Sequence, residues 1–370
     1  MKGKKKDAVA NSANWKGVLA AALSGQSARA VLAGIFALTM STGTLLAAEP
    51  LRICATVPEL GMLASEIGGD RVQVESFVRG TEDPHFVDAR PGFIRSLSQA
   101  DMYIQAGMEL EIGWAPVLLK QSRNTRIQQG KPGFVDASLV ISPRDVPGME
   151  ISRSMGDVHP MGSPHYLTDP TAGLLVAGLI RDRLKQIDPG SASYYQARYD
   201  NFEKMLSVKL YGPAITIHFA GRLDKLALLL HKAGYDGFLE FLKRNGMHGK
   251  LAGWLGQARA LQSKYYVGDH AATWSYLSNI FGLRFLGYME PIPGVDPTTN
   301  HLTELAKQMQ GKSVYILSAA YYSPRYASFL AEKTGATILP MANQGQARAG
   351  TDTYLDFIGY NISTLLKGHG

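Results

Sequence analysis

The chain alternates short apolar runs with helix-length periodic segments, and this order constrains the fold more than any other feature. The first half predicts strands over residues 51–57, 72–78 and 102–106, with helices over 59–67, 92–99 and the amphipathic stretch 110–121. Alternating strands and helices build a parallel sheet with helices on its faces. Because ligands bind such sheets beyond the carboxyl ends of the strands, the loops that follow these strands are the places to look for a site.

The second half repeats the pattern after one long helix. Residues 192–210 contain no Gly or Pro and carry apolar side chains at helical spacing, which predicts a single uninterrupted helix. Beyond it, predicted strands over 265–267, 283–288, 313–318 and 337–339 again alternate with helices. The sequence therefore predicts an α/β protein of two lobes, residues 49–188 and 212–370, joined by a linking helix over 189–211.

The first 48 residues have the pattern of a secretory signal peptide. A basic start, an apolar run over residues 30–40 and small residues over 44–48 predict cleavage after residue 48. The apolar run is too short to span a bilayer. The single cysteine, Cys54, lies in the first predicted strand and not at the cleavage point, so neither a lipid anchor nor an internal disulfide is expected. These features predict a periplasmic protein.

The charge of the chain argues against nucleic-acid binding. The formal net charge is +7, from 38 basic and 31 acidic residues. The first 48 residues hold six of the basic side chains and one of the acidic ones, which leaves 32 basic and 30 acidic residues in the mature chain. A net charge of +2 with no basic stripe does not suit a phosphate backbone, so no nucleic-acid partner is expected.

Two loops pair proline with histidine. Residues 157–170 hold His159 and His165 among several Pro and Gly residues, and Asp83-Pro84-His85 lies far upstream. A loop stiffened by proline loses little conformational entropy when a cation arrives, and the neutral imidazole nitrogen is the commonest protein ligand for metals such as zinc. The recurrence of a Pro-His pair at two loops favours a metal site.

Five motifs stand in order along the mature chain. They are Asp83-Pro84-His85, residues 107–114, residues 156–170 with their two histidines, Glu290-Pro291-Ile292-Pro293-Gly294, and Asp352-Thr353-Tyr354. Together they resemble the metal-binding solute-binding proteins of zinc and manganese ABC importers, over about residues 50 to 368. The resemblance implies two α/β lobes with one metal ion in the cleft between them, a membrane permease as partner, and a monomer.

The resemblance also implies a ligand from each of four loops: His85, His165, His270 and Asp352. Three imidazoles and one carboxylate suit four-coordinate Zn²⁺, whereas Mn²⁺ prefers more oxygen ligands. Glu290 remains the alternative to His270, because the spacing from His270 to the following tryptophan is one residue longer than is usual in the family. His159 is expected to be an accessory residue beside the site.

The sequence therefore predicts a periplasmic protein that captures Zn²⁺ and delivers it to an ABC permease. A manganese-specific protein of the same family remains the first alternative. A secreted zinc hydrolase, from a different functional class, is the second, since three histidines and a carboxylate can also support a metal-bound water. A catalytic zinc keeps its fourth position open, which Asp352 would close, and the chain lacks the His-Glu-x-x-His and Gly-x-Ser-x-Gly signatures. No enzyme activity is expected.

Overall fold

A computed structural model describes residues 49–148, 159–292 and 294–368. The predicted signal peptide, residues 1–48, lies outside the described residues, as do residues 156–158 of the histidine loop and Pro293 of the fourth motif. The domain boundaries predicted from the sequence stay a prediction.

The first sheet has four parallel strands. They are β1 (Leu51–Ala55), β2 (Val72–Ser76), β3 (Met102–Gln105) and β4 (Phe134–Asp136), in the spatial order β2-β1-β3-β4. In the centre, Ile53 is paired with Val74 on one side and with Met102 on the other. The sequence did not predict β4, because a run of three residues followed directly by a 3-10 turn carries too little periodicity to be recognised.

The second sheet repeats this arrangement. Its strands are β5 (Tyr265–Gly268), β6 (Arg284–Tyr288), β7 (Val314–Ser318) and β8 (Thr337–Pro340), all parallel and in the order β6-β5-β7-β8. The predicted α/β fold with two parallel sheets is therefore confirmed. In both sheets the strand order reverses beside the first strand, which is where ligands bind open α/β sheets.

Helices flank both sheets. Those of the first half are α1 (Pro58–Gly68), α2 (Pro91–Gln99), α3 (Ala115–Ser122) and α4 (Pro170–Ile187), followed by the long helix α5 (Ala192–Tyr211). Then come α6 (Pro213–His218), α7 (Leu223–Arg244), α8 (Gly253–Gln257), α9 (Ala271–Phe281), α10 (Thr299–Met309), α11 (Pro324–Thr334) and α12 (Tyr354–Lys367). Within the described ranges, no helix combines the length and the apolar character that a membrane crossing needs.

The helix predicted over residues 110–121 is shorter than expected. Helix α3 begins only at Ala115, and the preceding residues form a turn in which Met108 (φ 51°) and Glu109 (φ 65°) adopt left-handed backbone conformations. The buried Glu111 carboxylate stabilises this turn, because it accepts hydrogen bonds from the backbone N–H groups of Ala106 (2.7 Å) and Gly107 (3.1 Å). Left-handed non-glycine residues persist only where the surrounding structure fixes them, as this carboxylate does.

Helix α7 packs against both halves of the protein. It contacts α4, which packs on α1 of the first half, and α9, which contacts β6 of the second sheet. Its axis is kinked at Gly234, whose φ of 69° is in the left-handed region. A Cβ atom at this position would lie 2.4 Å from Asn279 Oδ1, so only glycine allows the close approach to α9.

A fully buried histidine anchors α7. The Nδ1 atom of His231 lies 2.6 Å from Asp169 Oδ2, and its Nε2 atom accepts a hydrogen bond from the Ser142 backbone N–H (3.1 Å). Because Nε2 is an acceptor, Nδ1 carries the proton and donates to Asp169. One neutral imidazole therefore links α7, the first residue before α4 and the loop after β4.

Replacing His231 with alanine should destabilise the protein by about 2 to 4 kcal/mol. The change leaves the buried Asp169 carboxylate and the Ser142 N–H without these partners, and each unsatisfied buried group is costly. Urea unfolding followed by circular dichroism measures the effect. The exposed His218 is the matched control, and His218→Ala should change stability by less than about 0.5 kcal/mol. Equal stability of the two variants would contradict an anchoring role for His231.

Candidate metal site

The loop after β2 presents His85 with a defined tautomer. Its Nδ1 atom lies 2.7 Å from Asp83 Oδ1, which also accepts a hydrogen bond from the His85 backbone N–H (3.0 Å). Because an ionised carboxylate can only accept, Nδ1 carries the proton and the lone pair of Nε2 is left for a metal ion. Burial raises the pKa of Asp83, but the hydrogen bond and positive charge of His85 outweigh burial, and the net shift is downward.

The turn before α3 holds this loop in place. Trp114 Nε1 donates to the carbonyl oxygen of Pro84 (3.0 Å). Thr56, the residue after β1, donates from Oγ1 to the Glu111 carboxylate (2.6 Å). Residues 107–114, the second motif of the sequence, contain no histidine and so add no imidazole to the site. They position the Asp83-Pro84-His85 loop at the carboxyl edge of the first sheet.

His159 lies directly beside His85. The two Nε2 atoms are 3.1 Å apart, and the ring centres are 5.2 Å apart. His165 is almost as close, with its ring centre 5.3 Å from that of His85. Two imidazoles on one tetrahedral zinc ion, with Zn–N near 2.0 to 2.1 Å, have ring centres about 5 Å apart. The spacing within both pairs is therefore that of side chains able to share one ion.

The second half of the chain contributes His270. It is the residue before α9, at the carboxyl end of β5, and its ring centre is 6.0 Å from that of His165. Its Nε2 atom is 3.0 Å from Thr273 Oγ1, whereas its buried Nδ1 has no hydrogen-bond partner among the described residues. His165 Nε2 is likewise buried, and no side chain or backbone group in the described ranges bonds to it. Buried polar atoms are nearly always satisfied, so two such nitrogens in one cluster indicate a ligand role.

Three histidines of the cluster, His159, His165 and His270, are held in the neutral form. Burial is the main cause, followed by the positive charge of neighbouring histidines, and together they lower the pKa of His159 to about 4 and that of His270 to about 3. The pKa of His165 is well below its usual value for the same reasons. Neutral imidazoles are the form that coordinates a metal ion.

The side chains have not closed around one point. Within the described ranges, no three His, Cys, Asp or Glu side chains are arranged to hold an ion as they stand. His159 and His165, for example, have their ring centres 6.5 Å apart.

Asp352 is not brought to the histidines. Its side chain is exposed and lines a separate cavity with Glu66 and Phe202. The reason is local, because the Asp352-Thr353-Tyr354 motif starts the last helix: Thr353 caps α12, and the Tyr354 hydroxyl donates to two backbone carbonyl groups before α4. In this structure Asp352 therefore lies apart from the histidine cluster, and its predicted role as the ligand that closes the metal site stays a prediction.

Glu290 lies in the cleft near His85. It follows β6 and lines a cavity of about 490 Å³ together with Asp83, His85 and Tyr322. Its backbone N–H donates to the Asp269 carbonyl (2.8 Å), and its carboxylate accepts from the Gly294 N–H (3.3 Å). His270, by contrast, is in ring contact with His165. Of the two alternatives for the third loop, His270 is thus the one in the histidine cluster.

Two polar residues beside His165 were not predicted. Glu59 and Gln344 are buried and line a small cavity with His165 and Asn343. Burial raises the pKa of Glu59 to about 7, although hydrogen bonds from its own backbone N–H and that of Gly345 oppose the shift. Both residues follow strands, β1 and β8, at the carboxyl edge of a sheet. Position after a strand is the signal that could have identified them.

The sequence matches the family described as "zinc-uptake complex component A, periplasmic" over residues 53–208 and 250–368. The chain belongs to this family. Residues 209–249, which contain α6 and α7, fall outside the match.

Curated relatives are about a quarter identical to this chain over the part that matches. A manganese ABC transporter substrate-binding lipoprotein, PsaA of Streptococcus pneumoniae, is 25% identical over 178 residues, 48% of this chain and 55% of the relative. A metal ABC transporter substrate-binding lipoprotein, SloC of Streptococcus mutans, is 27% identical over 175 residues, 47% and 54% of the two chains. The chain thus matches about half the length of these relatives.

Solved structures share the fold over most of their length. A crystal structure of ZnuA has a TM-score of 0.57 at 19% identity and covers 86% of this chain and 98% of its own. A cadmium-bound periplasmic metal-binding protein from Candidatus Liberibacter asiaticus has a TM-score of 0.58 at 16% identity, with 86% and 99% covered. The laminin-binding adhesin of Streptococcus agalactiae, in a mutant form, scores 0.59 at 20% identity, with 86% and 100% covered.

The metal-free protein should lose stability on acidification. His159 and His270 have pKa values of about 4 and 3 in the folded state, below the value near 6.5 of an unfolded chain. Between these limits the unfolded state binds more protons, so the free energy of unfolding falls as pH falls from about 6.5 to about 4.

Urea midpoints of the chelator-treated protein across this range test the point. Each buried histidine contributes at most about 1.4 kcal/mol per pH unit, and less where water reaches the ring. His270→Gln should reduce the slope, whereas His218→Gln, at the surface, should leave it unchanged. A slope that is the same in His270→Gln and in the original protein would contradict the predicted neutral state.

Proposed function

We propose that this protein captures a divalent transition metal ion in the periplasm, Zn²⁺ in the first place, and delivers it to the membrane permease of an ABC importer. The observation that carries the proposal is the cluster of four largely buried imidazoles at the carboxyl edges of the two sheets: His85, His159, His165 and His270. Membership of the family supports the transport role.

The donor set favours zinc over manganese. Imidazole nitrogen suits Zn²⁺, whereas Mn²⁺ is better held by carboxylate, carbonyl and water oxygens. The only cysteine, Cys54, is buried in β1, so the site we propose has no thiolate. We propose His85, His165 and His270 as ligands, with His159 as a further imidazole that contacts His85. The names of the relatives include manganese as well as unspecified metals, so the choice of metal needs a direct measurement.

Competition titrations with Zn²⁺ and Mn²⁺ on metal-stripped protein are the experiment that tests this proposal. We expect one Zn²⁺ per chain, bound more tightly than Mn²⁺. Tighter binding of Mn²⁺ would establish the manganese alternative. Failure to bind either ion would overturn the proposed function.

Alanine at His85 or His165 should reduce zinc affinity by more than about 100-fold, beyond the loss that an outer-shell change produces. The control is His301→Ala, because the His301 side chain contacts the backbone oxygen of Tyr288, away from the cluster. Asp352→Asn should bind zinc as tightly as the unmodified protein, since its carboxylate lines another cavity. A large loss in Asp352→Asn would restore Asp352 as a ligand.

Asp83→Asn should weaken zinc binding by about 10- to 100-fold, although Asp83 is not proposed to touch the metal. The amide oxygen is a weaker acceptor for the His85 Nδ1–H than a carboxylate oxygen is. The His85 ring is then less firmly oriented, and its Nε2 atom is less basic. Asp88→Asn, at an exposed position on the same loop, is the matched control. Unchanged affinity in Asp83→Asn would show that His85 is oriented by other contacts.

A further inference from the structure

Three of the residues that line one small cavity each have a buried polar atom with no hydrogen-bond partner in the part of the chain that the structure describes. These atoms are Glu59 Oε2, His165 Nε2 and Gln344 Oε1. The cavity measures about 20 Å³, and a single water-sized sphere needs about 10 to 15 Å³. The space therefore fits one water molecule or one metal ion, and the three atoms that face it are two oxygens and an imidazole nitrogen.

The orientation of each oxygen is fixed by a bond on its other side. Glu59 Oε1 accepts from the Gly345 backbone N–H (3.1 Å), which leaves Oε2 for the cavity. Gln344 Nε2 donates to the carbonyl oxygen of Glu82 (2.8 Å), so the amide oxygen is the atom turned inward. A Cβ atom on Gly345 would lie 2.4 Å from Met62 Cε, which shows how closely the loop after β8 packs on α1.

The metal site proposed above lacks a carboxylate, because Asp352 lies elsewhere. A dication bound only by neutral imidazoles in a buried site would keep its full charge away from water, and buried charges require a counter-charge. Glu59 is nearly fully buried in the first turn of α1, where the helix dipole favours a negative side chain. It lies at the carboxyl end of β1, on the same edge as His85.

We propose that Glu59 supplies the carboxylate ligand of the metal site and meets the cation at His165 Nε2, with Gln344 Oε1 as a neutral oxygen donor beside it. This inference rests on the proposed function and specifies its coordination. A carboxylate from the first turn of α1 replaces the one expected from the start of the last helix.

Glu59→Gln tests the assignment, since it keeps the shape of the side chain and the acceptor for Gly345. The probes are Zn²⁺ affinity by competition and the visible absorption spectrum of bound Co²⁺, which responds to the donor atoms and geometry around the ion. Glu66→Gln, seven residues along the same helix, is the matched control. We expect Glu59→Gln to lose at least about 10- to 100-fold in zinc affinity and to change the Co²⁺ spectrum, with Glu66→Gln unchanged in both.

The other outcomes separate the two proposals. If neither the unmodified protein nor Glu66→Gln binds Zn²⁺ or Co²⁺, the proposed function itself fails. If these two bind and Glu59→Gln matches them in affinity and spectrum, the cavity holds a bridging water only and the inference is overturned. A lower affinity with an unchanged Co²⁺ spectrum also overturns it, because Glu59 then acts through another residue. Should Glu59→Gln not fold, Glu59→Asp keeps the charge but retracts the oxygen, and an unchanged spectrum would again contradict the assignment.

Discussion

The arrangement of the site depends on the hydrogen bonds of the buried Asp169 carboxylate. Its Oδ1 atom accepts from the Thr171 N–H (2.7 Å) and begins α4, while Oδ2 lies 2.6 Å from His231 Nδ1 on α7. The Tyr354 hydroxyl donates to the Asp169 carbonyl, which ties in the last helix. Asp169 is only four residues beyond His165, so these hydrogen bonds also fix the position of the histidine loop. A buried charge stabilises a fold only when all its partners are present, and here each partner comes from a different helix.

The segment that falls outside the family match is part of the packing between the two sheets. Residues 209–249 contain α7, which contacts α4 on one side and α9 on the other. Leu226, Leu230 and Phe238 on this helix are buried in the same apolar core as the strands of the first sheet. Gly234 gives the helix the kink that lets both of its halves stay in contact with the core. Residues 209–249 are therefore part of the packed core and do not form a separate unit on the surface.

The sequence predicted the sheets well because each strand is a short apolar run with turn residues at both ends. Strand β4 was missed since three residues carry no periodicity, and α3 was predicted too long since Glu111 stabilises a left-handed turn that helical spacing cannot reveal. In the site, the structure brings His85, His165 and His270 into one cluster. The sequence could not show that Asp352 lies apart from this cluster, because thirteen residues separate β8 from α12 and either end of that loop could face the cleft. Only the fold shows that Gln344, at its beginning, lies beside His165.

The contacts between loops divide the histidines into two pairs. Ser163 Oγ donates to the Ala272 carbonyl (2.8 Å), which joins the loop of His165 to the first turn of α9, directly after His270. The Nε2 atoms of His85 and His159, in contrast, lie 3.1 Å apart, and the His85 loop is held by the turn before α3. Since α7 contacts both α4 and α9, a wide separation of these two helices would have to break the contacts of α7 with one of them. A widening of the gap between the two histidine pairs would separate His85 from His165 and His270 while leaving the contacts of α7 intact, so in the proposed transport role a small displacement is enough to release the metal ion.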